Sequence, residues 1–177
     1  MAQPVSQSTP TAPPKNVVVD LQLACTESTQ FDLQLPMFQQ FEAWIVAVLA
    51  FVDWRKNTEV TIRVVDGDEM TMLNETYRKK IGTTNVLSFP FSPYPEGKVE
   101  NVLVGDIVIC AMVICQESEQ QNKTCIDHWA HMVVHGMLHL LGYDHLSNQQ
   151  AEEMESLEIK IMKYLKISNP YGETKNL

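Results

Sequence analysis

The chain has 177 residues, 45% hydrophobic and 20% charged, with 13 Lys plus Arg against 22 Asp plus Glu for a formal charge of −9. That length fits one domain of about 100 to 200 residues, and the composition excludes a wholly disordered, collagenous or membrane-embedded chain. The acidic balance excludes a globally basic nucleic-acid binder, so a polyanion must be met by a local patch.

Residues 1–16 are rich in Pro, Gln, Ser and Thr and show no basic-then-apolar export signal, which predicts a flexible tail. Val17–Leu23 alternates and is β-branched, the pattern of a first strand. Pro36 suits the first turn of a helix whose Phe38, Phe41, Ile45, Val48 and Val52 recur every three or four residues, an apolar stripe that needs a sheet to pack on. Its most apolar window, Trp44 to Val52, is far shorter than the ~18 residues of a membrane span, so a cytoplasmic protein without membrane contact is expected.

Glu59–Val65 reads as a second strand, and Asp66 or Asp68 can cap a second helix carrying Met70, Leu73 and Tyr77 and closed by Arg78, Lys79 and Lys80. Asn85–Phe91 is a third strand, Ser92–Gly97 a loop, and Val102–Cys110 a fourth strand. Helices follow over about 112–121 and 124–141, the second ended by Gly142. Ser147 and Gln150 then form a capping box for a last helix with Met154, Leu157, Ile161 and Leu165 on one face. Four strands followed by a helical half predict an α+β layered domain over residues 17–171, with a short tail at 172–177 and mixed or antiparallel pairing both open. Cys25, Cys110, Cys115 and Cys125 form no C-x-x-C pair and are expected to be buried free thiols.

All five histidines fall between His128 and His145. On a helix, His128, His131, His135 and His139 project from nearly one side. His135 and His139, four residues apart, can converge on one ion across about 6 Å of rise, as ligand nitrogens bound at about 2.0 to 2.1 Å lie about 3 to 3.5 Å from one another. His131 and His139 are separated by about 12 Å of rise and cannot share it, so a third ligand must come from beyond the helix. Gly142 can turn the chain back and deliver His145, giving H-x-x-x-H-x-x-G-x-x-H. This is the spacing of the metzincin peptidases with Gly136 in place of their general-base Glu, so the site is expected to be metallated but not proteolytic. Three neutral imidazoles leave one position of a tetrahedral Zn²⁺ open to water, as in hydrolytic rather than structural sites. Other divalent transition metals also accept histidine. His128 and His131 are expected to line the cleft or bond to the backbone, and Asp144 is a candidate acceptor that orients a ligating imidazole.

The stretch His135-Gly-Met-Leu-His-Leu-Leu-Gly-Tyr-Asp-His145 resembles the signature of the YbeY family of bacterial endoribonucleases and ribosomal RNA maturation factors. Leu73-Asn-Glu-Thr-Tyr-Arg78 with Asn85-Val-Leu-Ser-Phe-Pro90, and Leu103-Val-Gly-Asp-Ile-Val108, are similar to its central motif and following strand, in the same order. Ile81 and Thr83 stand where the family usually has an acid and a proline. The resemblance implies a zincin-like α+β fold and one zinc ion per chain. It also implies cleavage of single-stranded RNA in 16S ribosomal RNA 3′-end maturation and ribosome quality control, with the ribosome or its proteins as partners and no DNA expected. Arg78 matches the family's functional arginine, and a guanidinium can hold a phosphate by two prongs. Lys79, Lys80 and His131 are candidate substrate contacts. The competing expectation is a ribosome-assembly binding factor whose metal is chiefly structural.

Overall fold

The computed structural model describes residues 9–25, 34–91 and 101–172. The expected loop at Ser92–Gly97, the first half of the expected N-terminal tail and all but the first residue of the C-terminal one lie outside the described residues. In chain order the elements are β1 (Val17–Leu23), α1 (Phe38–Phe51), β2 (Asn57–Val65), α2 (Gly67–Leu73), a π-turn over Asn74–Arg78, β3 (Val86–Pro90), β4 (Asn101–Cys110), α3 (Ala111–Gln120), α4 (Cys125–Leu140) and α5 (Asn148–Tyr164). The expected α+β class forms, and of the two pairings left open the four-stranded sheet takes the mixed one.

The sheet order is β1-β2-β4-β3. β1 pairs parallel with β2 and β2 with β4, whereas β3 is the antiparallel edge. Its two faces are unequally covered. Val60, Ile62 and Val64 of β2 join Val102, Val104, Ile107 and Ile109 of β4 in the main core, beneath Phe41, Ile45 and Val48 of α1 and the buried length of α4. The opposite face carries a small cluster of Val65, Leu87, Val108 and Cys110 under Met70 of α2.

The change from even to odd numbering among the inward residues of β4 marks a bulge. Glu59 of β2 faces Leu103 but Val60 faces Gly105, so β4 holds one extra residue and can point all four of its apolar side chains the same way. Gly105 makes the bulge possible: its φ is 142°, and a Cβ there would lie 2.3 Å from the Phe89 carbonyl oxygen across the β3 edge.

Sequence patterns locate most helix starts. The Asp66 carboxylate accepts from Glu69 N, Thr124 from Asp127 N, and Ser147 with Gln150 forms the expected capping box. Pro36, by contrast, stays outside the first turn, because Met37 is the N-cap of α1. Thr11, expected within the tail, is attached to the end of α1 through its N–H and hydroxyl, both donated to the Ala50 carbonyl. Cys25, Cys110 and Cys125 are buried, and the Cys115 and Cys125 sulfurs touch at 3.1 Å.

Candidate metal centre

α4 carries the histidine face, capped by Thr124 at one end and unwound at the other by a Schellman turn. There Tyr143 N donates to Leu138 O and Gly142 N to His139 O, with Gly142 at φ +90°. That turn reverses the chain and brings His145 back over the last helical turn. His135, His139 and His145 thereby offer three ligand atoms all within 4.8 Å of one another. The Nε2 atoms of His135 and His139 are 3.1 Å apart, the separation expected of two nitrogens on one ion with bonds of about 2.0 to 2.1 Å.

The protonation states suit such an ion. The Nδ1 of His135 lies 2.8 Å from Oε1 of Glu158, a fully buried residue of α5, so Nδ1 carries the proton and Nε2 presents its lone pair. Burial alone would raise the Glu158 carboxyl, but the contacts and positive charge of His131 and His135 outweigh it and hold it at about 2. The Tyr171 hydroxyl donates to the other oxygen of Glu158. Burial, then the like charge of His135 and His145, pushes His139 down to about 4, leaving a neutral imidazole at neutral pH. The donor set therefore fits a borderline-soft divalent cation.

These shifts set a direction for stability. His139 titrates at 6.5 when unfolded and about 4 when folded, so its contribution is full above pH 6.5 and falls as the pH drops toward 4. Glu158, lowered from 4.5 to about 2, adds a second loss below pH 4.5. The melting temperature of the metal-free protein is expected to fall steadily from pH 7 to pH 3, and His139→Ala to flatten the upper part of that profile. An unchanged profile in the variant would remove His139 from the account.

Glu158 was not legible as a site residue, whereas Asp144 was the sequence's candidate for orienting an imidazole. Asp144 instead accepts from the backbone N–H of His145 and so shapes the turn. Replacing Glu158 by Gln keeps the volume but removes the charge, and metal affinity is expected to fall 10- to 100-fold in chelator competition. Undiminished affinity would show that the carboxylate does not orient His135.

The three histidines open into a groove of about 810 Å³ whose walls include Arg78, Lys80, Asn85, Ser88 and Tyr143. α2 does not run regularly to Tyr77 as expected. Its final residues widen into the π-turn, which Lys79 ends at φ 56°, a widening common at functional sites. The buried Asn74 donates its Nδ2 to the Gly82 carbonyl at 2.8 Å and holds the following loop. Arg78 and Lys80 are exposed on the groove wall. Lys79 is not on it: its ammonium donates to the Thr76 carbonyl at 2.9 Å.

His131 is also absent from the groove wall. It is buried behind His135, 3.3 Å from Glu158 Oε1 and edge-on to Tyr171, and burial lowers its pKa. His128 is equally buried, 2.7 Å from Glu117 Oε2, which also accepts from the Asn85 amide. The hydrogen bond from His128 is the main reason Glu117 is held below the usual carboxylate range. Ser88 donates to the Gly136 carbonyl at 3.1 Å, a structural bond between β3 and α4.

Comparisons with known proteins identify the family. The family model described as endoribonuclease YbeY matches residues 24–166, most of the chain. The chain belongs to the YbeY family. A curated relative named endoribonuclease YbeY, from Colwellia psychrerythraea, is 49% identical over 158 residues, covering 88% of this chain and 97% of the relative. The solution structure of TM1509 from Thermotoga maritima matches 90% of this chain and 98% of that one at 22% identity, with a TM-score of 0.47. Among the described residues of this YbeY-family chain, no helix is long and apolar enough to cross a membrane.

Proposed function

We propose that this protein is a zinc-dependent, single-strand-specific endoribonuclease acting in ribosomal RNA maturation, at the 16S 3′ end, and in ribosome quality control in the cytoplasm. The observation that carries the reading is one groove lined both by a converging histidine trio and by the exposed Arg78, which has no ion pair among the described residues. Family membership supports RNA as the substrate, and the donor set supports zinc, held by His135, His139 and His145. When bound, the ion supplies Lewis-acid stabilisation of charge at a phosphodiester.

The chain's own residues do the rest. Arg78 grips the phosphate at the scissile bond through two N–H donors and stabilises the charge that grows on its oxygens. Lys80 adds attraction along the same wall. Glu158 accepts a hydrogen bond from the Nδ1 proton of His135 and so turns Nε2 toward the ion, and burial keeps His139 neutral near pH 7. With a net charge of −9, two cations in a groove suit a local RNA contact rather than general polyanion binding. Capture is therefore assigned to the ribosome or its proteins together with the groove, without DNA or membranes.

The test is cleavage of an end-labelled single-stranded RNA by purified protein, by the same preparation stripped with chelator, and by the stripped sample after zinc is restored. Cleavage that is lost and regained supports the reading. Absence of cleavage with zinc bound would favour an assembly-binding factor. Arg78→Ala is expected to cut the cleavage rate about 10²- to 10³-fold at unchanged zinc content, and Arg78→Lys to recover little of it. Equal rates in wild type and Arg78→Ala would take the arginine out of the reaction.

A further inference from the structure

A second cavity, of about 550 Å³, opens on the thinly covered face of the sheet. Tyr77, Phe89 and Pro90 line both this cavity and the metal groove, so the two meet over the β3 edge. Its floor is set by strand register. The ladder partners Thr61 and Phe89 flank Asp106 on either side, so these three side chains share one face. Arg63, two residues along from Thr61, is already occupied: its Nε and Nη2 donate to Glu69 and its Nη1 to Gln22. The half-buried Asp106 carboxylate has no hydrogen bond or ion pair among the described residues.

The rim is aromatic. Tyr77 is 64% and Phe91 53% exposed, and Tyr77 is braced by the Phe89 ring at 5.1 Å and 71°. Flat exposed rings beside a carboxylate that has no partner among the described residues suit a planar ligand with two adjacent N–H donors. Accordingly we propose that this cavity is a nucleobase subsite for guanine, belonging to the RNA strand that crosses the β3 edge from the metal groove. Tyr77 and Phe91 stack on the base, and the two Asp106 oxygens accept N1–H and N2–H of its Watson–Crick edge. Adenine presents no such donor pair. This inference rests on the RNA reading of the metal groove. Continuity between the cavities favours RNA as occupant over a basic protein segment, which the same carboxylate could also attract.

The test compares single-stranded heptamers that are identical except for one guanosine, inosine or adenosine. Binding is measured by fluorescence anisotropy on metal-stripped protein, and cleavage on zinc-loaded protein. At one position along the strand, guanosine is expected to bind about tenfold tighter than adenosine, with inosine between, and Asp106→Asn to bring the ratio near one. That ratio is taken within one preparation and does not depend on the fraction folded. Phe91→Ala is expected to weaken all three RNAs about tenfold while keeping their order, as stacking does not distinguish bases. Selective binding without cleavage would support the subsite and overturn the nuclease reading. Cleavage with no base preference, or a preference that survives Asp106→Asn, would overturn the subsite alone. Binding of a lysine- and arginine-rich peptide that Asp106→Asn abolishes, with no base preference, would reassign the cavity to a protein partner.

Discussion

His139→Ala is expected to fold, to lose its zinc and to lose RNA cleavage by about three orders of magnitude or more, equivalent to about 4 kcal/mol of transition-state stabilisation. His139 is the middle of the trio, 3.1 Å from His135 by Nε2 and with its ring centroid 5.0 Å from that of His145. Without it only two of the three ligands remain, too few to hold the ion firmly. The fold does not depend on it, because the core beneath α4 is built from Trp129, Val133, Val134, Met137 and Leu138. Removing one of three clustered imidazoles also relieves their mutual repulsion at low pH. Zinc content by mass spectrometry, a thermal melt and end-labelled RNA cleavage on one preparation decide the matter. A zinc-free variant that cleaves at the wild-type rate would place the chemistry elsewhere.

Gly136→Glu restores the peptidase motif on paper, and it is expected to yield an unstable protein without peptidase activity. A Cβ on Gly136 would lie 2.8 Å from Cγ2 of Ile107 and 3.2 Å from Oγ of Ser88. Ile107 is fully buried and β-branched, so it has little room to move. Alanine gains up to about 1 kcal/mol of helix propensity over glycine, yet this crowding opposes it with about 1 to 3 kcal/mol, so Gly136→Ala should already melt earlier. Glutamate adds a carboxylate against the apolar sheet, a further cost of several kcal/mol unless it is protonated. The measurements are the melting temperature of both variants and hydrolysis of an unfolded protein substrate. A Gly136→Glu protein as stable as wild type would show that α4 and the sheet are less tightly apposed.

The sequence made the ligands legible because their constraint is local: helical steps of four and a glycine turn fix His135, His139 and His145 without reference to the rest of the chain. Glu158 acts from another helix. It falls on the apolar stripe of α5, four residues after Met154 and three before Ile161, and a lone acid on a buried face is the one signal that marks it. Strand positions were readable from alternation, but their order was not, since parallel pairing of β2 with β4 joins segments more than thirty residues apart. The bulge at Gly105 hid behind an apolar run whose parity changes partway. The π-turn was equally hidden, because the pattern through Tyr77 fits a regular helix. The basic run read as one patch, yet the left-handed turn at Lys79 separates its members.

The link from His135 through Glu158 to Tyr171 also bears on when the site becomes competent. The histidines are synthesised first, the carboxylate thirteen residues after His145, and the phenol thirteen residues after that. A nascent chain that has extended through His145 holds every ligand but not the group that fixes the tautomer of the first. A YbeY-family endoribonuclease is thus synthesised with its three histidines in place before the carboxylate and the phenol that would orient them toward a metal.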